Sequence, residues 1–273
     1  MAPILKARLV MNLSSFLNIS RNFRKRIEKV MQGKAVIVTG GSRGIGATIV
    51  KKLAQRGYNV ILNYNKSGDM AEQIKKELEN EKITIYTYKA DVSDREESRK
   101  LIEFAIEKFK KIDVLINNAG ISQMKLFTDI TDAEWNNMLN VNLNSAFYCT
   151  QEATRHMLIN KEGCIINITS IWGITGASCE VHYSTAKAAL NGFTKALAKE
   201  LGPSNIRVNA IAPGMIDTDM NNNITEQDKQ NFIQEIPLEK IGETEDISKC
   251  VEWLIEDNYT TGQIISINGG IVI

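Results

Sequence analysis

Three polar side chains stand at intervals that invite chemistry in the run SIWGITGASCEVHYSTAK, from Ser170 to Lys187. Tyr183 precedes Lys187 by four residues, one helical turn, so on a helix the phenol and the ammonium share a face. Ser170 lies thirteen residues before Tyr183, too far for the same helix, and must arrive from the end of a neighbouring element. This group suits the reduction of a ketone. Adding a hydride to the carbonyl carbon leaves negative charge on oxygen, so a proton donor must stand within hydrogen-bond reach of that oxygen. Tyr183 is the candidate donor, and Ser170 is placed to orient the carbonyl. A free phenol has a pKa of about 10, and a nearby cation lowers it, which is the work expected of Lys187. His182, next to Tyr183, is expected to point off that face and to line the pocket or lie at the surface.

The elements that must bring these groups together follow from Lys34 onward. KAVIVTG, YNVILNYN, ITIYTYKADV, DVLINNAG, CIINITS, RVNAIAPG and QIISINGG read as strands. Between them lie the helical patterns GIGATIVKKLAQRG, DMAEQIKKELENE, REESRKLIEFAIEKF, TDAEWNNMLNVNLNSAFYCTQEATRHMLI and a helix around STAKAALNGFTKALAKELG. Such alternation predicts a doubly wound α/β fold, a single domain whose parallel sheet carries helices on both faces. Ser170 then ends the strand CIINITS, and Tyr183 and Lys187 lie near the start of the next helix. Ligands gather at the carboxyl ends of strands in open parallel sheets, where the three side chains can meet.

TGGSRGIG places Gly40, Gly44 and Gly46 between the first strand and the first helix, where a tight turn lets a pyrophosphate approach backbone N–H groups. The spacing is GxxxGxG, not the commoner GxGxxG. An acid at the end of the second strand would accept hydrogen bonds from the ribose 2′-hydroxyl of NAD, but that strand ends Leu62, Asn63, Tyr64, Asn65. Arg43, with Lys66, is suited to a 2′-phosphate, which favours NADP(H). Asp69 leaves NAD open if it folds back.

With 273 residues and 43% hydrophobic content the chain can bury a full core. The net charge of +1 hides an asymmetry: residues 1–30 hold seven Lys or Arg against one acid, which leaves the body near −5 and argues against nucleic acid as a partner. Leu5, Leu9, Leu13, Phe16 and Leu17 form one helical stripe in this basic extension. The pattern is compatible with an amphipathic targeting peptide or a membrane-surface helix. It is also compatible with a poorly packed tail, or with a start assigned too early, since MQGKAVIVTG reads as a domain start; residues 31–273 form the expected domain. No apolar run is long enough to span a bilayer. Cys149, Cys164, Cys179 and Cys250 form no CxxC and no ligand set with His156 and His182, so no metal is expected. Scattered thiols of this kind suit a cytoplasmic enzyme, with organelle targeting by residues 1–30 left open.

The ordered set of the glycine loop, Asp91-Val92, NNAG at 117–120, Asn142, Ser170, Tyr183, Lys187 and PGMIDT resembles the short-chain dehydrogenase/reductase family across nearly all of residues 33–273. The resemblance implies a Rossmann-like domain, often a homotetramer, with a nicotinamide cofactor along the strand ends. Gly40, Ser42, Arg43, Gly44, Ile45 and Gly46 would form the phosphate turn, with Asn63 beside it. Asp91 and Val92 would flank the adenine, and Asn118, Ala119 and Gly120 would line the cleft. Pro213 and Gly214 would continue that lining, and Ile211 and Thr218 would touch the nicotinamide end. Lys187 would also hold the nicotinamide ribose beside Tyr183, and Asn142 would hold a water connecting Lys187 to solvent. Within the family the chain looks most like 3-oxoacyl-[acyl-carrier-protein] reductases, which act in fatty-acid synthesis. Two departures are visible: the carrier-docking positions match Lys161 and Ser204, of which only the first is basic, and ISQMKLFTDI lacks the usual Arg-Asp-Asn. IWGITGASCEV resembles instead the related reductases of a 5-aminopentanone group carried on elongation factor P. The loop 121–128 and the polar helix TDMNNNITEQDKQNFIQEI would close over the substrate. A non-catalytic NADP-binding regulator on the same fold would be expected to lack Tyr183 or Lys187, and both are present.

Overall fold

A computed structural model describes residues 33–79, 83–221 and 225–273. The basic extension 1–30, with its targeting and membrane-surface readings, lies outside the described residues.

All seven strands expected from the sequence form one parallel sheet. They are β1 (Ala35–Val38), β2 (Asn59–Tyr64), β3 (Ile85–Lys89), β4 (Val114–Asn117), β5 (Gly163–Ile168), β6 (Ile206–Pro213) and β7 (Ile264–Ile267), in the order β3-β2-β1-β4-β5-β6-β7. The chain winds outward from β1 to β3, then crosses back to place β4 on the other side of β1. That reversal opens a crevice above the carboxyl ends of β1 and β4.

Alternate strand residues feed two cores. Val36 and Val38 pack beneath α1 (Gly44–Gln55) and α2 (Gly68–Glu79), while Ile37 faces α3 (Arg95–Phe109). Asp94 starts α3 by accepting hydrogen bonds from the N–H groups of Glu96 and Glu97 at 2.8 and 2.9 Å. The expected long helix from Thr131 is α4 (Asp132–Leu139) and α5 (Ser145–Asn160), joined by a π turn over Asn140–Asn144. Such a turn adds a residue to the helical repeat and redirects one side chain, here Asn142, toward the crevice. The short α6 (Trp172–Thr175) leads into α7 (Val181–Leu201), which carries Tyr183 in its first turn.

Two differences from the sequence reading lie beyond β6. The polar helix expected over 218–236 contains a 3-10 turn, Asp219–Asn221, and then α8 (Glu226–Glu235). The run TEDISKCVEWLIE, which the sequence reading passed over, is α9 (Thr244–Glu256), whose Ile247, Val251 and Leu254 join the core with α1.

Candidate active site

The strand ends are wired together by side chains that accept and donate locally. Thr39 Oγ1, just beyond β1, accepts from the N–H groups of Asn118 and Ala119, each at 3.0 Å. Asn118 Nδ2 returns two hydrogen bonds of 3.0 Å to the carbonyls of Thr39 and Gly40. On the other side, Asn63 Oδ1 accepts from Gly40 N at 3.3 Å while its Nδ2 donates to the carbonyl of Ala90 at 3.1 Å. Asn63 therefore lines the crevice chiefly as a brace between the glycine turn and β3. Gly40 and Gly44 adopt φ of 62° and 52°, the left-handed region. A Cβ at Gly46 would stand 2.3 Å from the Gly40 carbonyl oxygen, so only glycine permits this turn.

At the far end of the crevice, Ser170 and Tyr183 hydrogen-bond one another and both are nearly buried. Ser170 Oγ accepts from Trp172 N at 3.1 Å, so its hydroxyl proton is available to donate to Tyr183 or to a ligand. Lys187 Nζ donates to the carbonyl of Ile168 at 2.9 Å and lies 5.6 Å from the centroid of the Tyr183 ring. Burial holds the Lys187 ammonium down to about 8. The expected lowering of the phenol is not what this arrangement produces. Burial pushes Tyr183 up to about 12; the Ser170 hydrogen bond opposes that rise and the Glu180 carboxylate adds to it. Lys187 faces the ring and the Ile168 carbonyl, so burial decides the shift.

Asn142 is buried, with Nδ2 donating to the carbonyls of Ile121 and Met138 at 2.9 and 3.1 Å and Oδ1 accepting from Ile121 N at 3.2 Å. One Oδ1 lone pair is left over. A Cβ on Gly120 would meet that oxygen at 2.8 Å and Lys187 Nζ at 3.4 Å, so the two polar atoms face each other across the glycine. Beneath them, Asn117 donates to Thr150 and Asn167, and Asn167 donates to Thr194, a buried polar row tying β4 and β5 to α5 and α7. Of these, only Asn117 was singled out from sequence, as part of NNAG; Thr39, Thr150, Asn167 and Thr194 carry no motif.

Apart from Ile211, the residues expected to catalyse or to touch a cofactor line one cleft of about 720 Å³, from Gly40 and Arg43 through Asp91, Val92 and Ala119 to Ser170, Pro213, Gly214 and Thr218. The shape fits a dinucleotide. Helix α1 opens at Arg43 with no side-chain cap and no acid in its first turn, leaving its N–H groups for an anion. The Thr218 side chain faces Gly44 across the turn. Where Asp91 lines the cleft, burial would raise its carboxyl, but hydrogen bonds from Ser93 and Asn65 and the charge of Lys66 outweigh it and hold the group below its usual range.

A model of the short chain dehydrogenases matches residues 34–229. The chain belongs to that family. It is thereby a nicotinamide-dependent oxidoreductase acting between CH–OH and C=O groups. Its sequence is 40% identical over 239 residues to the 3-oxoacyl-[acyl-carrier-protein] reductase FabG of Staphylococcus epidermidis, spanning 87% of this chain and 98% of the relative. FabG of Aquifex aeolicus is 40% identical over 247 residues, 89% of this chain and 99% of its own. The uncharacterized oxidoreductase YmfI of Bacillus subtilis is 39% identical over 240 residues, 87% of this chain and 98% of its own. A mutant Serratia marcescens short-chain dehydrogenase/reductase superposes with a TM-score of 0.84 at 36% identity, covering 88% of this chain and 98% of that one.

The substrate side of this short-chain dehydrogenase departs from the sequence reading in three places. The loop 121–128 is pinned: Lys125 N donates to the Cys179 carbonyl at 2.7 Å, Lys125 Nζ pairs with Glu134 at 2.7 Å, and Gln123 Nε2 donates to Glu134 at 3.0 Å. The Lys125 hydrogen bond leads the set that holds the Glu134 carboxyl well below the usual range. His182 is fully buried and bonded to Gln123 at 3.1 Å, so it neither lines the cleft nor reaches the surface, and burial lowers its basicity. Ile211, expected to touch the nicotinamide, is wholly enclosed within β6 and does not line the cleft. Lys161 and Ser204 flank the amino ends of β5 and β6, whose Gly163 and Ile206 are paired. They sit roughly 20 Å of strand away from the cleft.

Among the described residues no helix is long and apolar enough to cross a membrane, and no cluster of His, Cys, Asp and Glu is arranged to hold a metal ion.

Proposed function

We propose that the chain reduces a protein-borne ketone to a secondary alcohol with NADPH, the first substrate being a 3-oxoacyl group on acyl carrier protein in fatty-acid synthesis. The convergence of Ser170, Tyr183 and Lys187 at the end of a glycine-gated dinucleotide cleft carries this reading. The reduced nicotinamide supplies the hydride when bound. Ser170 and Tyr183 together donate to the ketone oxygen, and Tyr183, a fully protonated phenol near neutrality, gives up its proton as charge develops there. Lys187 then holds the cofactor ribose and passes a proton back to the phenolate, with Asn142 and a water completing the route to solvent across Gly120.

NADPH over NADH is supported by charge. Arg43 and Lys66 line the glycine-loop end of the cleft, β2 ends without an acid, and Asp69 is exposed on the first turn of α2, outside the cleft. Names of relatives support the carrier-protein substrate. A second reading, reduction of the aminopentanone on elongation factor P, is favoured by the cleft wall that Ala177, Ser178 and Glu180 of IWGITGASCEV form, and by the distance of Lys161 and Ser204 from this opening. A cytoplasmic homotetramer completes the proposal; exposed Phe147 on α5, edge-on to Phe193 of α7 at 6.4 Å, offers an aromatic face for it.

The test follows nicotinamide absorbance with NADPH or NADH and two ketones, an acetoacetyl thioester and elongation factor P carrying the aminopentanone. NADPH consumption with the thioester, abolished by Tyr183→Phe, supports the first reading. Turnover with the modified factor alone replaces it by the second, and turnover with neither removes both.

A further inference from the structure

Glu180 is the residue just before α7, yet its side chain makes no capping hydrogen bond to that helix. It lines the cleft beside Ala177, Ser178 and Tyr183. Its Oε2 is enclosed and has no protein partner, and among the described residues no cation pairs with it. Its charge nonetheless reaches the Tyr183 phenol. Local structure therefore gives no reason for a carboxylate here, and enclosing an unpartnered acid oxygen is unfavourable.

The charges along the cleft say what would partner it. Arg43 and Lys66 mark the glycine-loop end, and Lys187 is the one other lining cation among the described residues. The substrate end carries Glu180 and Asp228. Asp228 is already engaged, accepting from Thr225 Oγ1 at 2.6 Å. An excess of acids there attracts a cation and repels a carboxylate substrate.

We propose that Glu180 is a recognition subsite for a protonated amine carried on the ketone substrate. The inference rests on the ketone-reductase reading above and concerns its second candidate ketone, the amine-bearing one. The carboxylate takes the N–H of the ammonium while Ser170 and Tyr183 take the carbonyl oxygen, so the substrate is held at two points around the reacting carbon. Burial keeps the Glu180 carboxyl above its usual range, and a cation beside it would act in the opposite direction.

The test uses a dimethylamino-substituted pentanone, protonated at neutral pH, and its carbon isostere in which C–H replaces the charged nitrogen. The readout is the ratio of kcat/KM for the two ketones, which does not depend on the fraction of enzyme that is folded. The native enzyme should favour the charged ketone, and Glu180→Gln should cut the ratio by roughly ten- to a hundredfold, with partial rescue in Glu180→Asp. A ratio unchanged by Glu180→Gln overturns the proposal. If the native enzyme reduces neither ketone, the reductase reading falls separately. Trp172 fluorescence titration with the charged ketone then decides the subsite: weaker binding to Glu180→Gln supports it and equal binding overturns it.

Discussion

At the glycine-loop end of the cleft the groups that face a ligand are mostly backbone, set by a turn in which Gly46 has no room for a Cβ and braced by Thr39, Asn63 and Asn118. At the substrate end they are side chains on connecting segments, and what holds those segments is a set of polar contacts: Lys125 with Glu134, and Gln123 with His182. Backbone held between strand ends is costly to alter and indifferent to most neighbouring side chains. Side chains on loops can be exchanged without disturbing the sheet, and this is where a choice among ketones can reside.

The sharpest way to break the comparison is at the junction of the two ends. Tyr183→Phe should lower kcat by roughly 10²- to 10⁴-fold while leaving NADPH affinity near its native value, which separate turnover and fluorescence titrations would show. An equal loss of cofactor binding would mean that the ends are not separable there. Gly46→Ala attacks the backbone end, since its Cβ would stand 2.5 Å from Asn118 Nδ2. NADPH affinity should weaken by about ten- to a hundredfold whatever the ketone.

Titration sharpens the same boundary. Lys187, lowered by burial to about 8, is cationic below that pH and neutral above it, while Tyr183 at about 12 stays protonated throughout. The reduction rate should be flat below about pH 8 and fall about tenfold per unit above it. A pH–rate profile flat through that range would detach Lys187 from proton return. Arg43→Ala should lower the ratio of NADPH to NADH efficiency about tenfold without changing the ranking of ketones. The smallest effect belongs to the pinned loop: Glu134→Gln should raise KM for the ketone about two- to fivefold and leave KM for NADPH alone. A change in the cofactor parameter would place that loop on the other side of the division.

What could be read from the sequence follows the same line. The strands announced themselves because buried parallel strands are continuous apolar runs closed by glycine or asparagine, as in VLINNAG and IINITS, and the glycine turn because no other residue fits it. Ser170, Tyr183 and Lys187 stood out because their spacing and chemistry coincide with strand and helix ends. The substrate end was less legible. The burial of His182 depends on Gln123 and Glu134, which come from a loop and a helix far along the chain. The π turn that redirects Asn142 leaves no mark in an apolar pattern that reads as one continuous helix. The direction of the Tyr183 shift required knowing that Lys187 donates to Ile168, a tertiary contact that residue types do not encode. Glu180 was legible only as part of the stretch IWGITGASCEV, and the enclosed oxygen that lacks a partner is a tertiary feature its residue type does not encode.

The account stands on hydride delivery to a ketone at Tyr183, and isotope transfer tests it most directly. With NADPH deuterated at the transferable position of the nicotinamide, the alcohol formed from an acetoacetyl thioester or an aminopentanone should carry one deuteron on its carbinol carbon by mass spectrometry. Tyr183→Phe should suppress that product. NADPH consumption that leaves no deuterium in the alcohol, or an undiminished labelled product from the variant, would contradict the claim.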